Sequence, residues 1–259
     1  MDLGIKGRRA IVCAASKGLG RACAMALARE GVEVIIAART ADRLEATAKE
    51  IRDETGAKVT AVAADVTTDE GRALLLKACK DPDILVNNAG GPPPGDFRNF
   101  SKEDWFKAVN DNMITAIELI KATIDPMIER KFGRIVNITS HTVKEPSGVL
   151  GLSNGARAGL TGFVSGLARD VARYNVIINN LLPGQFDTDR LRSNMSKFAE
   201  KAGKPLDEIM KQSAQRIPAR RIGNPDEFGA MCAYLCSAHM GYMTAQNVLL
   251  DGGQFPGLL

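Results

Sequence analysis

Tyrosine and histidine are scarce: three and two residues in a chain of 259, beside one tryptophan. Few side chains are therefore free to act as acid, base or stacking platform, and their positions matter. Cysteine is little used. Cys13, Cys23, Cys79, Cys232 and Cys236 form an odd set with no paired C-x-x-C spacing, which argues against a disulfide framework. Cys232 and Cys236 stand one turn apart on a predicted helix, but no His or further Cys lies near them in sequence to complete a zinc set, and no metal is expected. Buried, reduced thiols in a cytoplasmic protein are the plain reading. Neither charge dominates. With 34 basic residues scattered among 30 acidic ones, nothing marks a nucleic-acid or membrane partner. No run reaches the roughly 18 apolar residues of a membrane span. The opening stretch MDLGIKGRRAIVCAAS does not read as a signal peptide. What is present is ordinary globular composition, 45% hydrophobic and 25% charged, which excludes collagen, disorder and coiled coil.

Short β-branched and apolar runs recur at 10–15, 32–38, 58–64, 83–88, 134–139, 175–182 and 246–250. Most are apolar on both faces, as parallel strands covered by helices must be. Segments with helical spacing lie between them. Leu152, Ala156, Leu160, Phe163, Leu167 and Val171 predict a buried stripe along a helix over 150–173. Trp105, Val109, Met113, Ile117 and Ile120 predict another over 103–128. Strand alternating with helix predicts an α/β doubly wound parallel sheet with helices on both faces, as one domain over 1–259. Two stretches break the rhythm: the proline-stiffened loop GGPPPGDF at 90–97, and the polar stretch 184–217, which reads as an insertion. Both follow strands, so both border the crevice at the strands' carboxyl ends unless they are plain surface loops.

The first strand leads into Cys13-Ala14-Ala15-Ser16-Lys17-Gly18-Leu19-Gly20 and then a helix. Small residues there let the backbone approach a pyrophosphate, and a helix N-terminus supplies N–H donors and positive dipole. A tight turn without ligand is the alternative. The second strand ends Ala37-Ala38-Arg39-Thr40, with no acid to hold a ribose 2′-hydroxyl. Arg39, helped by Lys17, can grip a 2′-phosphate, which favours NADP over NAD. Asp65, ending the third strand, can accept from an adenine amino group. Asn87-Asn88-Ala89-Gly90 can stabilise the sheet edge and leave room for the cofactor.

Taken in order, the glycine loop 13–20, Asp65-Val66, the NNAG run 87–90, Asn112, Ser140, Pro183-Gly184-x-x-x-Thr188 and Asp251-Gly252-Gly253 carry a resemblance. Over essentially its whole length the chain resembles a short-chain dehydrogenase/reductase, most closely the bacterial 3-oxoacyl-acyl-carrier-protein reductases. The resemblance implies a Rossmann-type fold with a seven-stranded sheet, a nicotinamide cofactor in a pocket that includes Val66, Asn88 and Gly90, and a homotetramer or homodimer. It also implies that helices 101–130 and 150–174 pair across a dyad, that Pro183, Gly184 and Thr188 hold the nicotinamide, and that 184–217 is a substrate lid.

The family's catalytic set is Asn, Ser, Tyr and Lys, the last two spaced Tyr-x-x-x-Lys. The segment Ala158-Gly159-Leu160-Thr161-Gly162 sets the register and gives Asn112, Ser140, Ser153 and Arg157. Serine thus replaces tyrosine and arginine replaces lysine, with Arg157 left to bind the cofactor's ribose and keep the field positive. Cys13-Ala14 stands where Thr-Gly is usual, and Ala14 fits if its φ is negative. Reducing a ketone needs a proton on the developing alkoxide as well as hydride at carbon. Serine is far harder to ionise than tyrosine, and arginine holds its proton above about pH 12. None of Tyr174, Tyr234 and Tyr242 falls at the site by the family pattern, and His239 is given no chemistry. His141, Lys144, or a water among Ser140, Ser153 and Asn112 are the substitutes. Three readings follow. The first is an NADP(H)-dependent oxidoreductase for a carbonyl or secondary alcohol, with a rebuilt proton pathway. The second is an NADP(H)-binding protein with little catalysis. The third is a lyase or dehalogenase-type reaction on the same fold, disfavoured because halohydrin dehalogenases keep the Tyr and rebuild the glycine loop.

Overall fold

A computed structural model describes residues 1–258. Seven strands form one parallel sheet: β1 (Arg9–Cys13), β2 (Glu33–Ala38), β3 (Val59–Ala63), β4 (Ile84–Asn87), β5 (Gly133–Ile138), β6 (Val176–Pro183) and β7 (Asn247–Leu250), in the order β3-β2-β1-β4-β5-β6-β7. The order reverses between β1 and β4, and ligands of such sheets bind beyond the strands' carboxyl ends at that point. The expected class and strand number hold. The strand ends move by a few residues: β1 stops at Cys13, so Ala14 and Ala15 already belong to the loop.

Alternate strand residues enter two cores. Ala10, Val12, Val34, Ile36, Val86 and Val136 face α1 (Gly18–Arg29), α2 (Ala41–Thr55) and α9 (Pro225–Leu235). Ile11, Cys13, Ile35, Leu85 and Ile135 face α3 (Asp69–Ala78), α5 (Thr115–Glu129) and α6 (Gly151–Val171). All five cysteines are buried and unpaired. Helix α1 brings Cys23 against Cys232, a thiol contact that sequence spacing did not reveal; the hydrogen bond with Cys23 pushes the Cys232 thiol far up and the one with Cys232 pushes the Cys236 thiol far up, burial adding to both. Among the described residues no His, Cys, Asp and Glu cluster is arranged to hold a metal ion, and no helix is long and apolar enough to cross a membrane.

Two helix readings need correction. The segment 103–128 is not one helix: α4 (Lys102–Val109) meets α5 through a π turn at Asn110–Ile114. The extra residue in that turn rotates the stripe: Trp105, Val109, Met113 and Ile117 are only half-buried, while Ile120 is in the core as expected, joined there by Ala116, Leu119 and Ile124. Trp105 and Met113 pack on α6 at its glycines, Trp105 over Gly155 and Met113 over Gly159. On α6 the inward row is Leu152, Ala156, Leu160, Val164, Ala168 and Val171, with Phe163 and Leu167 on its flank. The insertion 184–217 folds as two helices, α7 (Asp189–Ala202) and α8 (Leu206–Arg216), anchored by Phe186 edge-on to Phe228 at 5.2 Å between ring centroids.

β4 lies mid-sheet, so Asn87 is not at a lateral edge. It opens a buried amide ladder that crosses four strands. Asn87 donates to Asn137 (2.8 Å), Asn137 to Asn180 (3.1 Å) and Asn180 to Asn247 (2.9 Å), each pair being register partners.

Candidate active site

The glycine loop fits a dinucleotide. Helix α1 has no side-chain cap and no acid in its first turn, so its leading N–H groups face the crevice free of protein side chains. Gly18 takes φ +58, and a Cβ on Gly20 would lie 2.4 Å from the Ala14 carbonyl oxygen, so both positions require glycine. The Ser16 carbonyl is fixed by the Thr47 hydroxyl at 3.0 Å, and Leu19 packs on the core. Ala14 departs from expectation: its φ is +49, the left-handed region that suits glycine, so the Gly-to-Ala change is strained rather than harmless.

At the end of β2, Arg39 is exposed and has no ion-pair partner among the described residues. It stays available to a phosphate. Lys17 is not: its Nζ pairs with Asp189 at 2.9 Å. The Asp65 carboxylate accepts from the Thr67 amide (3.0 Å) and hydroxyl (2.8 Å), and these bonds, with the Arg39 and Lys107 charges, outweigh the desolvation that pushes its pKa up and hold it below the ordinary range. Val66 is buried beneath it. Just past β4, Asn88 lines the cavity, and the Gly90 carbonyl accepts from Asn112 at 3.4 Å. Gly184 ties β6 to β7 through its N–H to the Leu250 carbonyl at 2.8 Å. Pro183 presents its carbonyl to His141, and the Thr188 hydroxyl caps α7 by accepting from the Leu191 amide at 3.3 Å.

The four residues read as catalytic all lie at the carboxyl end of β4, β5 and their following helices. The π turn puts Asn112 inward, buried, donating to Gly90 and Ala108 carbonyls with its Oδ1 unpartnered. Ser140 Oγ accepts from the Thr142 amide (3.2 Å) and hydroxyl (3.0 Å). Both its lone pairs are then engaged, so its own proton is left to donate. Ser153 is buried in the first turn of α6. Arg157, 8% exposed, donates Nη1 to the Ile138 carbonyl at 2.8 Å, and burial, with the Arg190 charge, pushes its pKa down to about 10. It remains a cation at neutral pH and lines the same cavity as Asn112.

The other candidates are occupied elsewhere. His141 Nδ1 lies 3.3 Å from the Pro183 carbonyl, and Lys144 sits 5.9 Å over the Phe255 ring. Tyr174 precedes β6 and Tyr242 precedes β7, while Tyr234 ends α9; these positions are at the amino-terminal end of the sheet, away from the crevice. His239 braces the N-terminus through the Asp2 carbonyl at 2.9 Å. One residue escaped the sequence reading. Arg190 reaches from α7 to the Gly91 (3.0 Å) and Pro92 (3.2 Å) carbonyls. Its only sequence signal is its place two residues after Thr188.

Comparison with known proteins agrees with the fold. The family described as enoyl-(acyl carrier protein) reductase matches residues 13–254. The chain is 29% identical to the NADPH-dependent reductase BacG of Bacillus subtilis, covering 97% of this chain and 99% of that one. It is 32% identical to the 3-oxoacyl-[acyl-carrier-protein] reductase FabG of Vibrio cholerae, covering 98% and 99%. Among solved structures, L-sorbose reductase from Gluconobacter frateurii, complexed with NADPH and L-sorbose, superimposes with a TM-score of 0.95 at 28% identity and covers 100% of both chains.

Proposed function

The chain belongs to the short-chain dehydrogenase/reductase family, and on that premise we propose that it is an NADP(H)-dependent oxidoreductase acting on a carbonyl or secondary alcohol. The observation that carries the reading is the nucleotide half of the crevice: an uncapped α1 N-terminus beside an Arg39 with no ion-pair partner among the described residues, and no acid at the end of β2. The NADPH in the names and structures of its relatives supports the same cofactor. When bound, the reduced nucleotide supplies the hydride, so the carbonyl carbon is reduced and the nucleotide oxidised.

The protein's own groups then handle the oxygen. Ser140, with its acceptor sites filled by Thr142, donates a hydrogen bond to the substrate oxygen. Arg157 holds positive charge near the developing oxyanion, where a buried cation acts through a low effective dielectric. The proton comes from a water held among Ser140, Ser153 and Asn112, since no Tyr lies there and Arg157 cannot release one at neutral pH. The hydroxide left behind regains a proton from bulk solvent. Residues 1–259 form one such domain with 184–217 as its lid, working in the cytoplasm as a homotetramer. Calorimetric titration with NADPH, followed by a carbonyl screen at high enzyme loading, tests this reading. Binding with turnover upholds it. Tight binding with no turnover, together with reductase activity gained in the Ser153→Tyr, Arg157→Lys double variant, assigns the chain instead to nucleotide binding without catalysis.

A further inference from the structure

Two guanidinium groups meet in the crevice without a carboxylate. Arg157 enters from α6 and Arg190 from α7. The point where a side chain on Gly91 would begin lies 3.0 Å from Arg190 Nη2 and 3.5 Å from Arg157 Nη2. Arg157 is buried, and its one protein partner is the Ile138 carbonyl. Among the described residues Arg190 is held only by the Gly91 and Pro92 carbonyls. Neither makes an ion pair among the described residues. Asp187 and Asp189, close to Arg190 in sequence, and Asp111, which lines the cavity with Arg157, are taken: Asp187 by Arg192 (2.6 Å), Asp189 by Lys17 (2.9 Å), and Asp111 by Lys107 (2.7 Å).

Two like charges sharing a partly desolvated space repel, and a buried cation without a counter-ion is costly. An oxyanion between them would relieve both penalties, and the planar fork of arginine matches a carboxylate's two oxygens. Arg157 lines the cavity that holds Asn112, and Arg190 approaches it across Gly91. Taking the oxidoreductase reading as given, we propose that the substrate is an oxo acid or hydroxy acid, whose carboxylate is held between Arg157 and Arg190 while its carbonyl or hydroxyl lies at Ser140.

The test uses the full-length protein with NADPH and matched pairs of ketones: 2-oxohexanoate and 4-oxopentanoate, each against its methyl ester, which keeps the ketone and loses the charge. The acids should exceed the esters in kcat/KM by roughly tenfold to a hundredfold, the worth of one charge-assisted contact. Arg190→Ala should collapse that ratio through KM, without raising the NADPH Kd, and Arg190→Lys should restore part of it. Equal kcat/KM for acids and esters overturns the proposal. So does an Arg190→Ala variant that loses NADPH affinity and keeps the acid preference, because the pair would then serve the nucleotide's phosphates. Thermal shift with the same acids and esters, with and without NADPH, reads the anion site independently of turnover. Acid-specific stabilisation lost in Arg190→Ala upholds the anion site even where no ketone is reduced, and then only the oxidoreductase reading falls. No acid-specific shift alongside intact NADPH binding overturns the anion site.

Discussion

Ala14 sits at φ +49 in the turn that receives the nucleotide. An alanine there carries the steric cost of the left-handed region, about 1 to 2 kcal/mol, while glycine adopts it freely. Ala14→Gly relieves that strain but makes the unfolded chain more flexible, which returns part of the gain. The net expectation is about 1 kcal/mol of added stability, seen as a melting temperature raised by roughly 2–4 °C. Calorimetric unfolding checks it, and a lowered midpoint would show that the turn has relaxed around the methyl group. Arg39 gives a second prediction at this scale. It is exposed, unpaired among the described residues, and is the group proposed to take the 2′-phosphate of NADP. Removing one charge-assisted phosphate contact costs roughly 1.5–3 kcal/mol. Arg39→Ala should therefore weaken NADPH binding by about tenfold to a hundredfold and leave NADH binding nearly unchanged, as read by titration calorimetry. Equal losses for both nucleotides would contradict the assignment.

Elements position these residues, and the asparagine ladder is the one that joins them across the sheet. Asn137 is fully buried and is the middle rung, accepting from Asn87 and donating to Asn180. Asn137→Ala would strand a buried donor on one side and a buried acceptor on the other, at about 1–3 kcal/mol each. Urea unfolding should show the variant destabilised by about 2–5 kcal/mol, with an unchanged m value if the folded state survives. This ladder was not legible in the sequence. Asn87, Asn137, Asn180 and Asn247 lie in four separate strand runs, and only the register brings them side by side. The strands themselves were legible because burial on both faces forces continuous apolar runs. The nucleotide loop was legible because its chemistry is local to residues 13–20. The π turn at Asn110–Ile114 was not, since an i+5 bond leaves the residue pattern of an ordinary helix intact while rotating everything after it. Helices α7 and α8 were missed for a different reason. Their inward rows, such as Leu191, Met195 and Ala199, are thin and lie among charged residues, so the stretch reads as polar loop.

At the scale of the whole molecule, three consecutive residues tie the 184–217 segment to both walls of the crevice. Thr188 packs on the glycine loop, its Cγ2 3.4 Å from where a Gly18 side chain would begin; Asp189 pairs with Lys17 at 2.9 Å; and Arg190 reaches the Gly91 and Pro92 carbonyls. The Lys17–Asp189 pair is exposed on both sides, so it adds little to stability, about 0–1 kcal/mol. Its consequence is for binding. Lys17 can add to Arg39 in holding a 2′-phosphate only when it is not neutralised by Asp189. Asp189→Asn keeps the side chain's size and removes the charge. The variant should bind NADPH several-fold tighter, by the roughly 1 kcal/mol that an exposed ion pair is worth. NADH affinity and the melting temperature should hardly move, and the gain should shrink as salt screens the freed lysine. Weaker NADPH binding in this variant would mean the opposite balance: the Lys17–Asp189 contact would then serve mainly to hold the lid's first turn over the nucleotide, and the 2′-phosphate would rest on Arg39 alone.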